Sequence, residues 1–185
     1  MKAARRPLAL LLLFFFASEL SAQTEPPLPE NRPPEWGAEA GYGFLVHLNR
    51  GRSHEHLLLF EPSVGLRIGS RFEYVIEGHF AQYLTPKGYM IGLLPLGARY
   101  YIGNGRLLPY LSAGAGLGWT DLTPLDEIDR RFNFLLQGSL GVRGALPDGQ
   151  AWTFEARLDH ISNAGLARPN LGLNCAVFLL GWRFR

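Results

Sequence analysis

The chain has 185 residues, with 18 Lys and Arg against 16 Asp and Glu, 47% hydrophobic residues and one cysteine. That length suits one domain rather than two, and a lone Cys175 excludes a disulfide framework and a cysteine metal site. The near balance of charge excludes the basic surface that marks nucleic-acid binding, so no nucleic acid is expected as a partner.

Residues 1–22, MKAARRPLALLLLFFFASELSA, join a basic start to an apolar run and end on the small residue Ala22, the pattern of a cleaved secretory signal. The run from Leu8 to Ala17 is too short to cross a bilayer as a helix, and no cysteine follows it to carry a lipid anchor. Cleavage removes three of the 18 basic and one of the 16 acidic residues and leaves a formally neutral mature chain. Residues 23–35, QTEPPLPENRPPE, hold five prolines and no apolar period. They read as an extended linker.

Residues 36–185 form one domain of eight segments with period-two alternation, near 37–48, 56–69, 71–84, 89–102, 107–120, 131–146, 151–163 and 173–185. Tight connections are expected after the second, fourth and sixth, at Gly69-Ser70, Gly103-Asn104-Gly105 and Pro147-Asp148-Gly149, and longer ones after the others. Short turns at one end and long loops at the other are the layout of a bacterial outer-membrane barrel. Pro62 and Pro95 interrupt the second and fourth segments and predict bulges, because a closed barrel has no free edge for a missing N–H.

The two faces differ chemically. Phe72, Tyr74, Ile76 and Phe80 oppose Glu73, Glu77 and His79. In the sixth segment Phe132, Phe134, Leu136, Leu140 and Val142 oppose Asn133, Gln137, Ser139 and Arg143; in the seventh Trp152, Phe154, Ala156 and Leu158 oppose Glu155, Arg157 and Asp159. An eight-stranded barrel is narrow enough for side chains to fill it, so Arg67, Glu73, Glu77, Arg99, Arg143, Glu155, Arg157 and Asp159 are expected to neutralise one another inside while the apolar face meets lipid. Aromatic residues near the segment ends suit the two interfaces, Tyr100, Trp152, Trp182 and Phe184 at one rim and Tyr83, Tyr89 and Trp119 at the other. The fold class is therefore all-β, an eight-stranded antiparallel transmembrane β-barrel of the outer membrane. A soluble secreted barrel around an apolar ligand is the weaker alternative, since it puts its apolar face inside and closes on a helix. Small residues on one face of the fifth segment, Ser112, Gly114, Gly116 and Gly118, leave room for bulky neighbours.

One stretch breaks the pattern: Asp159-His160-Ile161-Ser162-Asn163-Ala164-Gly165, then Arg168-Pro169-Asn170-Leu171-Gly172-Leu173-Asn174. His160 and Ser162 share the face of Trp152, Phe154, Ala156 and Leu158, the one that meets lipid. A tilted strand crosses the membrane in roughly 9 to 11 residues, so with Trp152 at one interface Ser162 reaches the other, in the outer leaflet. Counting back by twos from Phe184 brings Asn174 to the same face and rim. A serine hydroxyl becomes a nucleophile when an imidazole takes its proton, and the imidazole works best when a third group fixes its tautomer. Ser162, His160 and Asn174 fit those three roles, with Asn163 and the N–H groups near Gly165 as an oxyanion hole. No metal or organic cofactor is expected. His79 is expected in the interior polar network, and His47, His54 and His56 as solvated residues of the first long loop.

The run HISNAGLARPNLGLN resembles the C-terminal signature of the PagL-type lipid A 3-O-deacylases, small eight-stranded outer-membrane enzymes that remove an ester-linked acyl chain. The resemblance implies His160 as general base, Ser162 as nucleophile, Asn163 with Gly165 at the oxyanion hole, and lipid A of the outer leaflet as partner. It departs from the family at Asn174, where the family carries an acid. Asp159 and Glu155 point inward by parity, which leaves the loop holding Asp121, Asp126, Glu127 and Asp129 as the other source of a carboxylate. The competing function is a non-enzymatic barrel for adhesion, membrane stability or lipid binding.

Overall fold

Strands form where the period-two pattern runs. The computed structural model describes residues 33–46, 56–85, 87–122, 128, 130–166, 168 and 170–185; the signal and nearly all of the proline-rich segment lie outside them. Among the described residues there are eight strands and no helix: β1 (Glu35–Leu45), β2 (His56–Ile68), β3 (Phe72–Tyr83), β4 (Gly88–Tyr101), β5 (Leu107–Thr120), β6 (Phe132–Ala145), β7 (Ala151–Ser162) and β8 (Leu173–Phe184). Each pairs antiparallel with its neighbour, and β1 closes on β8 from Trp36↔Phe184 to Leu45↔Cys175. Closure gives every strand a partner on both sides, which is what a sheet needs in hydrocarbon, where no water can satisfy a bare edge.

The outer wall is apolar along its whole height, with Leu140, Leu158, Leu180 and Leu96 more than half exposed. A belt of that extent is untenable in water and natural against acyl chains. Trp182, Phe184 and Tyr100 face outward near one rim, and Tyr89 packs on Trp119 at the other with ring centroids 5.7 Å apart. Tyr83 corrects the expected girdle: it is inside, 1% exposed, because it lies on the odd-numbered face of β3 with Glu73 and Glu77.

The lumen is filled. Arg99 donates to Glu77 at 2.8 Å and Glu39 at 3.1 Å, Arg157 to Glu155 at 2.6 Å and to Glu61, Arg183 to Glu39 at 2.8 Å, and Arg143 grips Glu35 with both terminal nitrogens at 2.6 and 2.7 Å. His79 joins this network through Glu61 at 2.9 Å. Arg67 lies over the Tyr101 ring, 3.7 Å from its centroid. Glu35 and Glu39 of β1, Arg183 of β8 and Glu61 of β2 join the interior charges expected from the sequence; of these three strands only β2, through Arg67, was expected to carry one. The interior is also less uniformly polar than expected: towards the rim of the long loops Leu45, Leu57, Leu59, Leu135, Ile161 and Leu173 form an apolar cluster with Leu122 and Ile128 from the β5–β6 connection.

Pro95 lies at a bulge, where the β4 register shifts against both neighbours, and the Tyr74 hydroxyl donates to its carbonyl. Pro62 leaves a gap in the β2–β3 ladder with no change of register. The small face of β5 does leave room: a Cβ on Gly114 would meet the Gln137 side chain at 2.8 Å, and one on Gly118 would meet Met90 and Leu135. The β3–β4 connection, residues 84–87, is short, against the expected long loop. His56 is not a loop residue either. It opens β2, bonded to the Tyr42 hydroxyl and stacked on its ring at 5.5 Å; His47 and His54 lie outside the described residues.

Candidate active site

β7 and β8 carry the site, and their register builds it. His160 pairs directly with Asn174, Leu158 with Ala176, and Ala156 with Phe178; on the other side His160 pairs with Leu136, and Ser162 with Phe134 of β6. Alternation along β7 buries Glu155, Arg157 and Asp159 in the lumen and turns Phe154 and Leu158 out. His160 and Ser162, in step with the second set, stand half-buried on the outer wall at the rim of the long loops, and Asn174 stands half-buried beside them.

His160 Nδ1 and Asn174 Oδ1 are 2.9 Å apart. An amide oxygen can only accept, so this bond places the proton on Nδ1 and leaves the Nε2 lone pair open, the tautomer a base needs. Ser162 Oγ and the imidazole, two residues apart on one face, are not hydrogen-bonded to each other. Such bonds are commonly loose without substrate and tighten in the complex.

Above Ser162 the chain leaves the strand in a tight turn. Asn163 is on the inward parity and buried, its Oδ1 accepts the Gly165 N–H at 2.9 Å, and its carbonyl accepts the Leu166 N–H at 3.1 Å. Ala164 and Gly165 both take left-handed backbone, φ 53° and 80°, as a turn of this tightness requires. Asn163 thus shapes the turn, and the Gly165 N–H is held by it. Two neighbours were not singled out from the sequence. Asn170 Oδ1 accepts the Asn163 N–H at 3.1 Å, and Gly172 lies against the imidazole. Asn170 had a signal in the spacing, four residues before Asn174, whereas the contact of Gly172 with the imidazole depends on the register of β8.

Two sources of an acid can be placed. Asp159 and Glu155 are in the lumen, as parity requires, and Asp121 accepts the Tyr89 N–H at 2.6 Å, at the β4–β5 side; Asp126, Glu127 and Asp129 lie outside the described residues. Directly beneath His160 the outer wall carries a shallow groove of about 390 Å³, floored by Gly138, Ala156 and Ala176 and edged by Leu140, Leu158 and Phe178. Gly138 and Ala176 flank Leu158 in one row across β6, β7 and β8, and Ala156 lies in the next row between Leu140 and Phe178, so small residues alternate with bulky ones and leave this furrow.

Comparison with known proteins agrees with the architecture. The crystal structure of the outer membrane enzyme PagL superposes with a TM-score of 0.62 at 18% identity, over 80% of this chain and 97% of that one. The crystal structure of Neisserial surface protein A gives 0.57 at 18% identity, over 81% and 95%. No protein of curated function matches by sequence. Residues 63–183 match the family described as lipid A 3-O-deacylase (PagL). That span covers well over half of the chain and includes β3 to β7 and nearly all of β8; the chain belongs to the PagL lipid A 3-O-deacylase family.

Proposed function

We propose that this protein is an outer-membrane esterase that hydrolyses an ester-linked acyl chain of lipid A, the 3-O chain by family, through Ser162 and His160. The observation that carries the reading is the His160–Asn174 hydrogen bond on the lipid-facing wall, one strand step below Ser162. A polar pair at that place has no packing role, and its geometry readies Nε2 to accept a proton.

In the reaction His160 Nε2 takes the Ser162 proton as Oγ attacks the ester carbonyl. The tetrahedral oxyanion is met by the Gly165 N–H, which exchanges its bond to Asn163 Oδ1 for the developing charge. The imidazolium then protonates the departing sugar oxygen, and water, activated by the same imidazole, releases the fatty acid from Ser162. The groove of Gly138, Ala156 and Ala176 runs away from the site toward mid-membrane and suits the acyl chain, so substrate enters sideways from the outer leaflet. Asn174 orients the imidazole but adds no charge to stabilise the imidazolium, which predicts a slower enzyme than one with a carboxylate there.

The same asparagine favours the second reading, a barrel that binds lipid without cleaving it. Incubating the purified protein with lipid A in detergent separates the two. Fatty acid released by the wild type and not by Ser162→Ala supports the esterase; no release from either supports the binding barrel.

A further inference from the structure

Gly172 directly precedes β8, one residue before Leu173, the partner of Ile161. Its backbone is left-handed, φ 71°. A Cβ built on it would lie 2.7 Å from His160 Cε1, 3.3 Å from Nε2 and 3.1 Å from the Ile161 carbonyl. The first distance is closer than carbon atoms approach, so the ring, held at Nδ1 by Asn174 at 2.9 Å, would have to shift. The imidazole therefore leans toward Gly172, into space that is free because residue 172 has no side chain.

We infer that Gly172 is a positioning residue for His160: by lacking a side chain it lets the Nε2 edge lie over the β8 backbone, beside Ser162, while Nδ1 stays on Asn174. The inference rests on the esterase reading. Gly172 touches no reacting atom; it acts by deciding where the imidazole can be. Its left-handed backbone is a separate requirement, which asparagine meets at lower cost than alanine. Asparagine thus isolates the added Cβ from backbone strain.

The test is the rate at which a fluorophosphonate probe labels Ser162 in the full-length protein in detergent micelles, with folding read from heat-modifiable electrophoretic mobility. The set is wild type, Gly172→Ala, Gly172→Asn and Gly149→Asn, the last a control at another left-handed glycine (φ 81°) with open space around it. Both Gly172 variants are expected to keep folded mobility and to label about 100-fold more slowly, the low end of what a general base contributes. Their kcat on lipid A should fall with KM unchanged, and the control should match the wild type. Wild-type labelling by folded Gly172→Asn would show that a Cβ is tolerated and overturn the inference alone. Loss of folding in both Gly172 variants would make the glycine merely structural and overturn it as well. A wild type that neither labels nor releases fatty acid would overturn the esterase reading itself.

Discussion

His160 and Asn174 are direct partners in the β7–β8 register, and their side chains meet on the outer wall with Nδ1 and Oδ1 2.9 Å apart. Pairing by register fixes this geometry through two neighbouring strands, with no dependence on a loop. Asn174→Ala should lower kcat about 100-fold by freeing the tautomer. Asn174→Glu should preserve or raise it, because a carboxylate accepts the same N–H and stabilises the imidazolium. Steady-state deacylation in micelles decides it, and a collapse in the glutamate variant would mean the site is built around the amide.

The groove leads to a prediction about chain length. A Cβ on Gly138 meets nothing within 4 Å, so Gly138→Leu is expected to fold normally while filling the furrow beside Leu158 and Ala176. Activity on esters of long fatty acids should drop, and activity on short ones should stay. Parallel loss on both would place the acyl chain elsewhere on the wall.

Arg157 serves the barrel rather than the site. It faces Glu155, Glu61 and Gln137 in the lumen, and Arg157→Leu strips buried carboxylates of their countercharge, which costs about 3–5 kcal/mol. Urea unfolding in lipid vesicles should shift by that amount. An unchanged midpoint would contradict the assignment of the lumen charges as a mutually neutralising set.

Asn163→Ala removes the acceptor of the Gly165 N–H. The barrel should stay folded, since one such bond is worth only about 1 kcal/mol net, while kcat falls as the turn above Ser162 loosens. Full activity in this variant would remove the turn from the mechanism.

Most of this architecture was legible as parity. The alternation of apolar and polar residues is a direct record of which wall each side chain occupies, so strand count, lipid face and the shared side of His160, Ser162 and Asn174 could be read from residue numbers. The same count, applied to Tyr83, puts it inside; it was misplaced because its nearness to a rim was weighed above its odd position. Asn163 likewise falls on the inward set with Asp159 and Ile161, and it acts on the turn from below. The apolar half of the lumen was less legible, because in runs such as Leu57-Leu58-Leu59-Phe60 both faces are apolar and the alternation vanishes. The β3–β4 loop was overestimated for a related reason: Thr85-Pro86-Lys87-Gly88 marks a turn without stating how far the strands continue on each side. His56 showed no pattern of its own, since its partner Tyr42 is 14 residues away across a loop. Gly172 was invisible as a neighbour of His160 until the register of β8 was known.

The central claim is that the lipid-facing Ser162 cleaves an acyl ester of lipid A. Mass spectrometry of lipid A from a Gram-negative host expressing the wild type or Ser162→Ala tests it most directly. The account predicts loss of one acyl chain with the wild type and intact lipid A with the variant; identical lipid A from both would contradict it.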